Sequence, residues 1–188
     1  LGGQIWRFDI KKGQTPANLV DGGVIAQLGA EGLATPTAAD TRRFYSAPDL
    51  SIFSEPQQGR RYISISIGSG YRAHPFDLSA SERFFSVRDP DVFNQLDQSD
   101  YDNYNVISDS DLVEISGQTK VVVGSGMSGW KFTLPANEKI LADSITFDDQ
   151  VYFVSFTPDT IANQSCATGR GTNFLYRISV INGDPVVN

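Results

Sequence analysis

The stretch RYISISIGSG, residues 61–70, constrains the fold more than any other part of the chain. Ile63, Ile65 and Ile67 alternate with Ser64 and Ser66. A period of two puts the isoleucines on one face of a strand and the serines on the other. Isoleucine suits a pleated, half-buried surface. Gly68-Ser69-Gly70 then ends the strand, because glycine reaches turn conformations that other residues resist. Tyr71, Arg72 and the single histidine, His74, follow, and Pro75 and Asp77 close the run.

The same alternation recurs along the chain. After a Gly2-Gly3 turn, Trp6, Phe8 and Ile10 line one strand face. RFYSAPDLSIF reads as a strand in which Pro48 marks an edge or a turn. RFFSVRD runs up to Pro90, TKVVVG is a short strand, and Trp130, Phe132 and Leu134 alternate up to Pro135. KILADSITF and VYFVSF flank Asp148-Asp149 as a hairpin, and FLYRISVINGDPV is a last strand with a turn at Asn182-Gly183-Asp184. Residues 11–41, with Gly13, Pro16, Gly22, Gly23, Gly29, Gly32 and Pro36, read as a loop-rich insertion holding one short strand. DVFNQLDQSDYDNYN reads as a short helical turn and a loop. SDSDLVEI offers Ser108 as a helix N-cap with Asp111 three residues on. The expectation is an all-β domain with one or two short helices.

A degenerate repeat runs through these strands. WRFDI (from Trp6), WKFTL (from Trp130) and YRISV (from Tyr176) share the order aromatic, basic, apolar, polar, apolar, and Phe85 in FFSVRD begins a looser fourth. The steps from 85 to 130 to 176 are about 45 residues, near the period of one four-stranded propeller blade. Alternating aromatics are common in any sheet, so the repeat alone does not decide the architecture.

Charge and length bound the function. A chain of 188 residues makes one domain or part of a larger one. The net charge is −7, and without a basic stripe there is nothing to release phosphate counterions, which argues against a nucleic-acid partner but not against metal cations. No apolar run approaches the roughly 20 residues of a membrane helix. The chain starts at Leu1 inside a turn that enters a strand at once, as expected of a processed chain or a piece of a larger protein. Cys166 is alone and cannot form an internal disulfide.

Few residues carry chemistry in pattern. Gly124, Gly126 and Gly129 satisfy G-x-G-x-x-G, but period-two WKFTLP follows where a dinucleotide fold needs a helix. GSGYR lacks the Lys-Ser/Thr ending of a phosphate loop. His74 is the only histidine base, and neither a nucleophile elbow nor a cysteine-protease signature accompanies Ser69 or Cys166. The acidic run from Asp97 to Glu114 is the best metal candidate. Calcium takes six to eight oxygens, and Asp100, Asp102, Asn105 and Asp109 are the candidate ligands. Asp100-Tyr101-Asp102 begins like an EF-hand loop, but the turn glycine is missing. The competing reading is a solvated loop leading to a capped helix.

Taken together, IGSGYRAHPFD and FFSVRDPDVF, with WRFDI and SAPDLSIF before them, form an ordered set. GWKFTLP, EKILADSITFDDQVYFVSFTP, Cys166 and FLYRISVINGDPV continue it. In that order they resemble the C-terminal β-propeller domain of the PilY-type type IV pilus biogenesis proteins, or tip-associated adhesins. The resemblance implies that residues 1–188 form a single partial propeller of about three to four blades or partial blades. It implies a secreted, non-enzymatic protein at the pilus tip or outer surface of a bacterium. Such a protein supports pilus assembly and retraction, contacts pilin or minor pilins, and attaches to a surface or host ligand. The family's Asp-rich calcium loop lies just before the GGxxWRFD segment, so calcium would belong to the parent protein upstream of Leu1. No Arg-Gly-Asp is present. Two other classes stay open: a fragment of a quinone-dependent propeller dehydrogenase, although only Trp6 and Trp130 are available for blade motifs, and a carbohydrate-binding propeller, for which Tyr101 and Tyr104 are the loop aromatics.

Overall fold

The computed structural model describes residues 2–55, 59–91, 93–117, 123–124, 126–159 and 171–185. In chain order the strands are β1 (Gln4–Ile10), β2 (Val20–Gln27), β3 (Asp49–Glu55), β4 (Arg60–Gly68), β5 (Arg83–Asp89), β6 (Ile107–Ser108), β7 (Val113–Glu114), β8 (Gly129–Thr133), β9 (Lys139–Ile140), β10 (Ile145–Phe147), β11 (Gln150–Pro158) and β12 (Gly171–Ser179). One short helix, α1 (Gln98–Asp102), precedes β6. The chain is all-β in class. It forms three sheets, ordered β1-β2-β6, β3-β4-β5-β8-β7 and β10-β11-β12, with β9 also on β11. The described residues close no ring of blades.

The β3–β8 sheet is the middle layer. Cross-strand partners share a face, so the pairs Ile65–Val87 and Ile67–Phe85 put these four side chains on one side. They pack there with Ile5, Ile25, Ala26 and Ile107 of the first sheet. The other side carries Phe53, Tyr62, Phe84 and Trp130, which pack with Ile140, Val151, Phe153, Ile178 and Val180 of the third sheet. Phe84 stacks on Phe153 with ring centroids 4.0 Å apart. The Trp130 indole N–H donates to the Val180 carbonyl at 2.9 Å.

This layering changes the expected half-buried strand. The serine side of β4 is buried as well, with Ser64 and Ser66 each 1% exposed. Ser64 Oγ meets Ser86 Oγ at 2.9 Å, so two small polar groups satisfy each other under the third sheet. Gly68-Ser69-Gly70 does not form the expected turn: Gly68 is the last residue of β4, neither glycine holds a positive φ, and the stretch is instead the seam where the layers approach closely. A Cβ on Gly70 would overlap the Ile140 carbonyl. Ile140 N–H donates to the Ser69 carbonyl at 2.9 Å, which ties β9 to the end of β4.

Other elements follow the local sequence signals. Asp148 and Asp149 both hold positive φ, 52° and 58°. With Phe147 paired to Gln150 they form the two-residue primed turn that matches strand twist. Ser108 and Asp111 make a reciprocal cap on a single 3-10 turn at Asp109–Asp111. The RFYSAPDLSIF strand is shorter than its pattern and begins at Asp49, after Pro48. Residues 11–41 hold short 3-10 turns and β2, which is eight residues long and is the middle strand of its sheet. Its end is core, since Ile25 and Ala26 are buried. Residues 119–122 of the expected TKVVVG strand and Cys166 lie outside the described residues; Val123 and Gly124, at its end, belong to no strand, and Val123 is buried.

The repeat resolves differently from its spacing. WRFDI, WKFTL and YRISV fall one to each sheet, on β1, β8 and β12. Phe85 does not start a further unit, because β5 is paired directly with β8 and Ser86 faces Trp130. Nor are the repeat aromatics equivalent in burial. Trp130 is 0% exposed, whereas Trp6 is 54% exposed.

Candidate functional site

The acidic run divides into two structures. Around α1, Asp97 Oδ1 accepts from the Ser99 and Asp100 N–H groups at 2.9 and 3.1 Å. Asp100 Oδ2 accepts in return from Asp97 N–H at 2.9 Å. Asp102 Oδ1 accepts from the Gln98 side-chain amide at 2.9 Å. These carboxylates fix a helix end and stay exposed, in keeping with a capped loop.

Asp109 sits elsewhere, among cations. Its carboxylate accepts from Arg83 and Lys131, and Arg42 Nη1 lies 3.9 Å away. Burial pushes its pKa up, but the hydrogen bonds from Arg83 and Lys131 outweigh this and hold it below the usual carboxylate value. Three positive groups around one carboxylate oppose a further divalent cation there. Among the described residues, no group of three or more His, Cys, Asp or Glu side chains converges as a metal site.

The stretch that ends β4 is built for structure. Ser69 Oγ donates to Glu82 Oε2 at 2.5 Å and accepts from Arg83 N–H at 2.9 Å. Ser69 is 0% exposed, so no substrate reaches its hydroxyl. Burial raises the Glu82 pKa above its ordinary value, opposed by the Ser69 hydrogen bond and by Lys139. Lys139 is itself buried, donates to the Asp77 carbonyl, and has its pKa lowered by desolvation. His74 is exposed on the following turn, with its ring 4.7 Å from that of Tyr71. Nothing joins it to Ser69 as a catalytic pair. The glycines of the G-x-G-x-x-G string lead into β8 and not into a helix, which leaves no N-terminus for a pyrophosphate.

A wide concavity lies at one end of the middle sheet, where β4 begins and β5 ends. Its volume is about 1010 Å³. Arg60, Arg61, Tyr62 and Arg88 come from the sheet, Asp100, Asn103 and Tyr104 from the α1 side, and Met127 and Ser128 from the opposite side. Arg88 spans the floor: its guanidinium lies 4.8 Å over the Tyr62 ring and donates to the Gly124 and Ile181 carbonyls at 3.1 and 2.6 Å. Sequence reasoning missed this group. Its only local trace is the Arg60-Arg61-Tyr62 run after a polar turn, and Arg88 joins it through strand pairing alone. Asn105, a calcium candidate, also lines this cleft. Of the two loop tyrosines, Tyr104 lines it while Tyr101 is buried and donates to Asp9.

The two outer layers present apolar faces. Trp6, Phe8 and Ile10 stand on the side of β1 turned away from the middle sheet, and Phe8 is 61% exposed. On the third sheet Ile145, Phe147 and Leu175 are exposed in the same way. The partners of Trp6 and Phe8 on β2 are Val24 and Gly22, while Arg7 points inward to Asp89 at 3.1 Å. Among the described residues no helix is long and apolar enough to cross a membrane.

These features define an all-β protein of stacked twisted sheets with a polar cleft at a sheet end and no assembled catalytic constellation among the described residues. No protein-family model and no curated protein matches the sequence. Among solved structures, the fold is similar to the C-terminal domain of PilY1 from Pseudomonas aeruginosa, with a TM-score of 0.61 over 98% of this chain at 16% identity. The chain spans 43% of the length of that structure. The likeness is one of fold, and it agrees with the resemblance seen in the ordered sequence motifs.

Proposed function

We propose that this chain is a non-catalytic part of a type IV pilus-associated protein that supports pilus assembly and retraction and surface adhesion. The observation that carries the reading is the fold likeness to the PilY1 C-terminal domain along 98% of the chain. The ordered motifs from WRFDI to FLYRISVINGDPV support it independently of the fold. In this reading the three stacked sheets are blades or partial blades of a propeller, and the exposed faces of the outer sheets are where further blades pack. The protein acts outside the cytoplasm, with pilin or minor pilins and a surface ligand as partners. A rigid sheet scaffold with variable loops suits such binding. Calcium, if the parent protein uses it, is held outside the cation-ringed Asp109 site.

The test is deletion of residues 1–188 from the parent gene, scored for surface pili, twitching motility and attachment. Loss of piliation or motility is the expected result. Normal pili, motility and attachment would overturn the proposal.

A further inference from the structure

We propose that the cleft at the end of the middle sheet binds an acidic saccharide, with Arg60 and Arg61 as the cations that attract its carboxylate. This names a ligand class for the adhesive role above and rests on that role for its biological setting; the binding test below reads the cleft alone.

The argument starts from charge. Arg60 and Arg61 line the cleft, are exposed, and form no ion pair with any described residue. The Arg61 guanidinium lies 5.8 Å over the Phe93 ring, and Arg60 lies against Gly126, where a Cβ would meet its Nη1. As consecutive residues of β4 the two side chains leave the strand on opposite faces, so each guanidinium stands by itself at the cleft, and a single guanidinium fork suits a planar carboxylate that takes paired N–H donors.

The rest of the lining selects the class of molecule. The carboxylates of Asp91 and Asp100 and the amides of Asn103 and Asn105 border the same space. Carboxylates accept from hydroxyl groups, and amides both donate and accept. A ligand with one carboxylate and many hydroxyls satisfies cations, acids and amides together. A polyacidic peptide would face the same two aspartates as like charges. Under the floor, the Tyr62 hydroxyl and Arg88 Nε are buried with no hydrogen-bond partner among the described residues, although Tyr62 is 5% and Arg88 6% exposed. The volume of about 1010 Å³ lies at the upper end of small-molecule pockets, which fits more than one sugar ring.

The experiment is calorimetric titration of the whole chain with an acidic trisaccharide that carries a single uronic acid carboxylate (an aldotriouronic acid), with its methyl ester, and with hexaglutamate. The acid is expected to bind, more weakly at high salt, and the ester at least about tenfold less well. R60Q/R61Q should bring the acid down to the level of the ester with the melting temperature unchanged, and Arg72→Gln, outside the cleft, should change nothing. Should the double variant fold poorly, Asn105→Asp provides the second arm, weakening the acid and sparing the ester. Equal binding of acid and ester, full affinity in the double variant, tighter binding of hexaglutamate, or no binding of the acid would each overturn the inference. Pilus phenotypes do not enter this readout, so the cleft and the pilus role can fail separately.

Discussion

The two tryptophans occupy the same place in the repeat, and replacing each by alanine should have very different effects. Trp130 is 0% exposed, packs with Phe84 at a centroid distance of 5.9 Å, and donates its indole N–H to Val180. Trp130→Ala removes a full aromatic side chain and leaves a cavity between the middle and third sheets. Substitutions of this kind cost about 3–5 kcal/mol, and the Val180 carbonyl also loses a buried donor. Against a total stability of about 5–15 kcal/mol, this variant should be on the edge of unfolding at room temperature. Trp6 is 54% exposed and its ring stacks on Phe8 at 6.2 Å on an open face. With half of its surface in water already, Trp6→Ala should cost about 1–2 kcal/mol. Urea unfolding of the isolated chain, followed by circular dichroism, measures both. Fluorescence gives a second check: the Trp6→Ala chain should emit at the blue wavelength of a buried indole, and the Trp130→Ala chain at a redder one. Equal destabilisation by the two substitutions would refute the reasoning, because it would mean that the outer face of the first sheet is covered in solution.

Asp109→Ala leaves Arg83, Lys131 and Arg42 facing one another in a poorly hydrated pocket, and should destabilise the chain by about 2–4 kcal/mol in denaturant titrations. Because the folded pKa of Asp109 is lowered, its contribution is fully present above the unfolded carboxylate value of about 3.9 and is lost as pH falls through the folded value. The wild type should therefore lose this increment only below about pH 4, and a stability profile without that loss, or one matched by the variant, would contradict the ionic cluster. Calorimetry on the isolated chain should show weak or no calcium binding, since Asp100 and Asp102 are engaged in and around the α1 cap; micromolar affinity abolished by Asp100→Ala and Asp102→Ala would show that the loop is a ligand set after all. His74→Ala, at an exposed turn, should change stability by no more than about 0.5 kcal/mol and leave attachment of the parent protein intact.

Local chemistry made much of the secondary structure legible. Ile63, Ile65 and Ile67 marked a strand because a period of two is geometric, and Asp148-Asp149 marked its hairpin because both positions need positive φ. Ser108 and Asp111 announced their capped turn for the same reason: the partners are three residues apart. Glycine-rich segment 11–41 showed one short strand but not its eight-residue length or its central place, because Gly22 and Gly23 weaken the strand signal while pairing with β1 and contact with α1 supply what propensity lacks.

What the sequence alone determined is which residues share a face; which faces are covered was decided only by the stacking of sheets. Serine on β4 is buried and tryptophan on β1 is half exposed, the reverse of their ordinary preferences, because the middle sheet is packed on both sides and the first sheet on one. The same holds for the sites. Asp109 looked like one more carboxylate in an acidic loop until strand pairing brought Arg83 and Lys131 against it. Arg88 is distant along the chain from Arg60 and Arg61, and it shares their cleft because β4 and β5 are antiparallel neighbours. Alternation is a property of a single strand, whereas burial and charge environment arise from contacts between strands distant in sequence, and these form only in the folded stack.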